Sequence, residues 1–201
     1  MKEFKIVVLL LVVAIAGCSE QKRDFASEVG ALDFTLLLEG HADQGDYSDE
    51  LAKLTDLANS GNPIAQERYA DVLIRSGEQQ KAIGYLDAAI ELDYLLANET
   101  LAVLYFDEGT AEGYLKSYKH FVAAAEADIS SSQTFLGLCF NDPDCEFPNN
   151  EYLASYWLSR AIDNKNSSAM FFEDDLKRMS YSKKQTAKEQ AQVLCVLDGS
   201  C

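Results

Sequence analysis

Reactive side chains are few in this chain and they fall into small groups. Four cysteines form two close pairs, Cys139 with Cys145 in CFNDPDC and Cys195 with Cys201 in CVLDGSC. Thiols at that spacing can oxidise to local disulfides, whose short loops close at low entropic cost. Asn141, Asp142 and Pro143 favour a turn in the first loop, and Gly199 with Ser200 loosens the second. Four cysteines allow three connectivities; we expect Cys139–Cys145 and Cys195–Cys201. Zinc is the competing use of the same thiols, but it would need ligands from distant segments, and no C-x2-C spacing is present. The two histidines, His41 and His120, lie far apart in the chain. His120 sits among aromatic residues in KSYKHFVAAAEAD, as a structural histidine would, and His41 ends an apolar run, where a helix C-terminus suits partial positive charge. Asp142, Asp144 and Glu146 alternate in one loop and would be in reach of a calcium ion, but the loop lacks the glycine and spacing of an EF-hand. No H-E-x-x-H, G-x-S-x-G, P-loop or G-x-G-x-x-G stands in the sequence. These residues predict no catalytic site, no metal and no cofactor, and hence a protein that is not an enzyme.

The fifth cysteine has a different setting. The chain opens MKEFKIVVLLLVVAIAGC. Lys2 and Lys5 make a positive start, and Ile6 to Ile15 is an apolar run too short to span a bilayer, which needs about 20 residues. Ala16 and Gly17 then bring small side chains up to Cys18. This resembles the lipobox of bacterial lipoproteins. The resemblance implies a signal peptide at residues 1–17, lipidation of Cys18 and a short tether over 18–25. Ser19, rather than Asp, after the anchor implies the outer membrane, facing the periplasm. A plain signal peptide ending near a chance cysteine is the other reading of the same residues.

The elements that would position the remaining residues show internal repetition. Ala65, Tyr69, Ala70 and Leu73 recur in spacing as Ala97, Leu101, Ala102 and Tyr105, and again as Ser132, Leu136, Gly137 and Phe140. Each set puts small, large, small, large on one helical face, and the small residues let a second helix approach closely. A second helical pattern follows each set: Ala82, Tyr85, Leu86 and Ala89, then Tyr114, Tyr118, Phe121 and Ala125, then Tyr152, Leu153, Tyr156, Trp157 and Ala161. Gly77 and Gly109 fall where a left-handed helix cap is wanted. A single helix–turn–helix unit cannot bury its apolar face alone, so the units must stack.

The segment LANSGNPIAQERYADVL, with Ala58, Gly61, Asn62, Ala65, Gln66, Tyr69, Ala70 and Leu73, resembles the Sel-one-like repeats, relatives of the tetratricopeptide repeats. Leu101, Ala102, Tyr105 and Gly109, closed by Ala124 and Ala125, carry the likeness into the next unit, and Leu136, Gly137, Tyr156, Trp157 and Ala161 into a third, where Ser132 replaces the usual Ala and the loop is extended. The implied fold is all-α: an α-solenoid of stacked repeats over about residues 48–170 within a domain of 26–201. Capping helices are expected near 26–40, 48–60, 167–179 and 182–197. A non-repetitive helical bundle is the alternative that apolar helical spacing alone would allow.

Charge narrows the partners. The chain holds 33 acidic and 17 basic residues, a net charge of −16. Loss of residues 1–17 would remove Lys2, Lys5 and Glu3, leaving the mature chain more acidic still. Nucleic acid is excluded as a natural partner, because phosphate binding draws on Lys and Arg. The acidic excess lies almost wholly before residue 151 and serves either solubility or docking of a basic surface. On the repeat helices, Gln66, Glu67, Asp71 and Arg75, then Asn98, Glu99, Val103, Phe106 and Asp107, then Gln133, Thr134 and Leu138 should point away from the core between helices. Val103, Phe106 and Leu138 are apolar there. Ringed by Glu67, Asp71, Glu99, Asp107 and Glu108, they would suit a protein interface with a basic face opposite, unless flanking helices cover them.

Small acidic lipid-anchored proteins of this repeat type resemble immunity proteins paired with secreted antibacterial toxins, including phospholipase effectors of type VI secretion. The resemblance implies a periplasm-facing lipoprotein that binds another protein and occludes it. The alternative function is an envelope scaffold or adaptor in a cell-wall or signalling complex.

Overall fold

The computed structural model describes residues 24–30, 48–176 and 183–201. The leader, Cys18, His41 and most of the helix expected at 26–40 lie outside these residues. The described chain runs α1 (Phe25–Val29), α2 (Ser48–Asn59), α3 (Pro63–Arg75), α4 (Gln79–Glu91), α5 (Ala97–Phe106), α6 (Ala111–Glu126), α7 (Ser130–Asn141), α8 (Glu151–Asp163), a 3-10 turn (Ala169–Phe172), α9 (Glu173–Leu176) and α10 (Lys183–Asp198). Among the described residues there is no strand. Helices α3 and α4, α5 and α6, and α7 and α8 pack as hairpins, and each hairpin packs on the next. The architecture is the expected α-solenoid.

The small-large pattern accounts for the hairpins. Ala65, Ala70, Ala97, Ala102, Ser132, Leu101 and Leu136 are fully buried, while Tyr69 and Tyr105 are half-buried. At Gly137 even a methyl group would be too large. A Cβ there would lie 2.5 Å from Leu158 Cγ and 3.1 Å from the Ala154 carbonyl, so α7 sits on α8 at glycine distance. Helices α2, α4, α6 and α8 all end in the same cap. Gly61, Asp93, Asp128 and Lys165 take left-handed backbone (φ 83, 61, 62 and 61°). The following amide then donates back five residues: Asn62 to Leu57, Tyr94 to Ala89, Ile129 to Ala124 and Asn166 to Ala161. These are Schellman closures, which satisfy carbonyls the ending helix cannot. Gly77 and Gly109 are left-handed as expected, with φ of 80 and 65°.

The third unit differs. Its hairpin turn is the extended loop, held by the Cys139–Cys145 disulfide (Cα–Cα 5.3 Å) and by Asn150 N–H donating to the Phe140 carbonyl. The loop sends Phe147 into a core of Tyr118, Phe121, Phe140 and Trp157. The chain then passes through the 3-10 turn and α9. Helix α10 returns over α6 and α8, adding Val193 to the same core, rather than capping the end of the stack. Cys195–Cys201 (Cα–Cα 5.1 Å) spans the C-cap of α10. Both disulfides therefore pair as the local spacing led us to expect. No described helix is long and apolar enough to cross a membrane.

Candidate functional site

The first helix of each hairpin meets the first helix of the next, and polar side chains tie these junctions. Thr100 Oγ1 donates to Glu67 Oε1 (3.4 Å) between α3 and α5. One repeat later, Ser131 and Ser132 hydroxyls donate to Glu99 Oε2 (2.5 and 2.7 Å) between α5 and α7. Glu67 and Glu99 occupy equivalent places and do the same work.

Several residues expected to line an open groove lie inside the stack instead. Gln66, Glu67, Asn98, Gln133 and Thr134 are buried. For Gln66 and Gln133 the reason is the end of the preceding helix, whose last carbonyls lack intrahelical donors. Gln66 Nε2 donates to the Ala58 carbonyl (3.3 Å), and Gln133 Nε2 to that of Ala125 (2.9 Å). Asn98 fills the same register; its Nδ2 donates to the Leu95 carbonyl, and its Oδ1 accepts from His120 Nδ1 (2.9 Å). His120 also stacks on Tyr105, and burial pushes its pKa down, so it holds a structural position. Phe106 is a further correction. It is half-buried against Tyr114, Phe135 and Phe147, because Phe135 of the next repeat reaches it.

What stays open is a cleft of about 330 Å³ between α3 and α5. Ile74, Val103 and Leu104 give it an apolar floor, and Asp71, Arg75, Glu99 and Asp107 give it charged walls, with Thr100 at the junction. Val103 keeps 47% of its surface exposed. Burial raises the Asp71 pKa above the usual carboxylate value, partly offset by Arg68 and Arg75. Glu67 lies deeper. Burial first, then Asp71, raises its pKa; Arg68, whose Nε is 3.5 Å away, and the Thr100 hydroxyl work against that rise. Two partly desolvated carboxylates beside an apolar floor favour a cationic neighbour.

The structure thus brings together Asp71, Glu99, Val103 and Asp107. Glu67 sits beneath them. Leu138 is 39% exposed one repeat further along, on α7. Glu108 faces elsewhere, lining a shallow depression with Gly77, Gln80 and Lys81. Ile74, Thr100 and Leu104 were missed by sequence reasoning. The signal for Thr100 was available, since a small polar residue stands where the next repeat has Phe135. Among the described residues no three His, Cys, Asp or Glu side chains converge as a metal site would require.

No protein-family model and no curated protein matches this sequence. Among solved structures the chain is similar to a protein with the SLR, or Sel-one-like repeat, fold, and the likeness shows that fold for this chain. That structure is a protective antigen present in uropathogenic Escherichia coli strains; the match has a TM-score of 0.54 at 22% identity and covers 68% of this chain and 30% of the antigen.

Proposed function

We propose that this chain is a protein-binding module tethered through Cys18 at the periplasmic face of the outer membrane, and that it acts as an immunity protein occluding a cognate secreted toxin of the phospholipase type. It performs no chemistry of its own. The observation that carries the reading is the α3–α5 cleft, whose apolar floor and surplus of carboxylates over the single Arg75 suit a basic protein surface. A lipid anchor at Cys18 would fit it, because an inhibitor must meet a membrane-directed toxin before the toxin reaches lipid, and negative charge speeds that encounter. The test is survival. A strain lacking this gene, co-cultured with its parent, is expected to die, and to be rescued by the wild-type chain but not by one carrying Asp71→Lys and Asp107→Lys. Survival of the deletion strain would overturn the immunity reading and leave an envelope adaptor. Cys18→Ala should move the protein from the membrane to the soluble fraction; unchanged fractionation would remove the anchor.

A further inference from the structure

The groove that carries the proposed function has a readable order. Counting from the buried small residues Ala65, Ala97 and Ser132, the residue six places on is Asp71 in α3, Val103 in α5 and Leu138 in α7. The three helices lie side by side, joined by Glu67–Thr100 and by Glu99–Ser132 and Phe106–Phe135. Val103 and Leu138 are both exposed, at 47% and 39%, where their repeat counterpart Asp71 is charged. Along the stack the surface therefore reads acid, apolar, apolar. Packed helix axes lie about 8–10 Å apart, and an extended chain in the polyproline II conformation rises about 3.1 Å per residue with about three residues per turn. Every third residue then lies on one face and meets the next helix, whereas a β-strand would turn that residue to its far side and a ligand helix, at about 1.5 Å per residue, would need six or seven residues.

Resting on the protein-binding reading, we propose that the groove recognises an extended segment of its partner in which one basic side chain and two apolar side chains stand three residues apart. The basic group enters the α3–α5 cleft among Asp71, Glu99 and Asp107. The two apolar groups cover Val103 and Leu138. Charge complementarity selects this occupant, since the cleft walls present three carboxylates against one guanidinium. It also selects the order, because the places that Glu99 and Asp107 hold beside Val103 are filled beside Leu138 by Thr134 and Asp142, one carboxylate fewer.

Fluorescence anisotropy with labelled peptides and the wild-type mature chain tests this without altering the protein. The probe is Arg-Ser-Pro-Leu-Ser-Pro-Leu, together with its reversed sequence, since chain direction is unset. One of the two should bind. Moving the basic residue to the central or distal position, or changing the spacing to two or four, should weaken binding roughly tenfold. A helical peptide with the same three side chains at seven-residue intervals should bind more weakly. Asp71→Lys should abolish the preference for Arg at the first position, and Leu138→Glu should create one for Arg at the third, each variant being checked for native melting. Indifference to spacing and order, or better binding of the helical peptide, overturns the proposal. If a cognate partner still loses affinity with Asp71→Lys while no extended peptide binds, the cleft is an interface for a folded surface; the protein-binding reading then stands and this inference falls.

Discussion

Two junctions of one solenoid, built in the same register, end in opposite ways. Between α3 and α5, Ile74 faces Thr100 and a cleft remains. Between α5 and α7 the equivalent residues are Phe106 and Phe135, whose rings pack at 5.4 Å, with Phe121 stacked on Phe135 at 4.0 Å and Phe147 beside them. The polar tie is common to both, Glu67 with Thr100 in one and Glu99 with Ser131 and Ser132 in the other. Opening or closing a junction is therefore set by the bulk of two side chains, and the backbone repeat is indifferent to which is chosen. The closed junction belongs to the half of the molecule that also carries the disulfide loop and α10, so aromatic packing there serves the core. The open junction keeps an unfilled cleft walled by Asp71, Glu99 and Asp107 and is free for a ligand.

Emptying the closed junction should have the largest effect. Phe135→Ala removes a ring that contacts both Phe106 and Phe121, and should cost about 3 kcal/mol, read as a fall in thermal or urea stability. The reciprocal change, Thr100→Ala, deletes one hydroxyl from an open cleft and should cost less than about 1 kcal/mol. Equal losses from the two variants would mean that the junctions are not different in kind.

The loop that completes the closed junction comes next. Cys139→Ser with Cys145→Ser releases the segment that carries Phe147 and should cost about 2 kcal/mol, the loop being short. Cys195→Ser with Cys201→Ser frees only the end of α10 and should cost less. Denaturant melts of the two double variants separate them, and reversal of that order would place the core's dependence at the terminus.

Filling the open junction should spare stability and abolish binding. Thr100→Phe imports the residue found at position 135 into a cleft of about 330 Å³, more than enough for a ring. Melting should shift little, while affinity for the peptide or cognate protein should fall at least tenfold by loss of the cleft. Retained affinity would move the binding surface away from α3 and α5.

The stack was legible in the sequence because its small residues are not negotiable: Ala65, Ala70, Ala97, Ala102 and Gly137 each sit where a larger group meets a neighbouring helix. The disulfides were legible because local spacing leaves little choice. The buried amides were not. Gln66 and Gln133 look solvent-facing when only the partner helix in the hairpin is considered, and the carbonyls they satisfy belong to the helix before. The caps at Asp93, Asp128 and Lys165 escaped notice because left-handed backbone was sought only at glycine. Five of the eight cleft residues were visible: Asp71, Arg75, Glu99, Val103 and Asp107. Phe106 misled because its cover, Phe135, comes from the following repeat, and covering of that kind shows only when repeats are aligned against one another.

The smallest effect should come from the buried carboxylate under the open junction, and its sign is fixed by pH. Desolvation is the leading influence on Glu67, so its folded-state pKa lies above the unfolded value. In acid both states are protonated and the group is neutral in its effect. As pH rises past the ordinary glutamate value, the unfolded chain releases its proton while the folded chain still holds one. Stability therefore falls through that interval and levels once the folded group has ionised. Glu67→Gln keeps an oxygen to accept from Thr100 and forfeits the attraction to Arg68, but it removes the larger desolvation penalty. The variant should melt higher than wild type at about pH 7, with the gap closing at about pH 3.5, below the usual carboxylate range. Glu99 offers the control one repeat away, since it is only half-buried and accepts two hydroxyl bonds. Glu99→Gln should lower stability at neutral pH, and a gain there equal to that of Glu67→Gln would mean that burial does not distinguish the two junctions electrostatically.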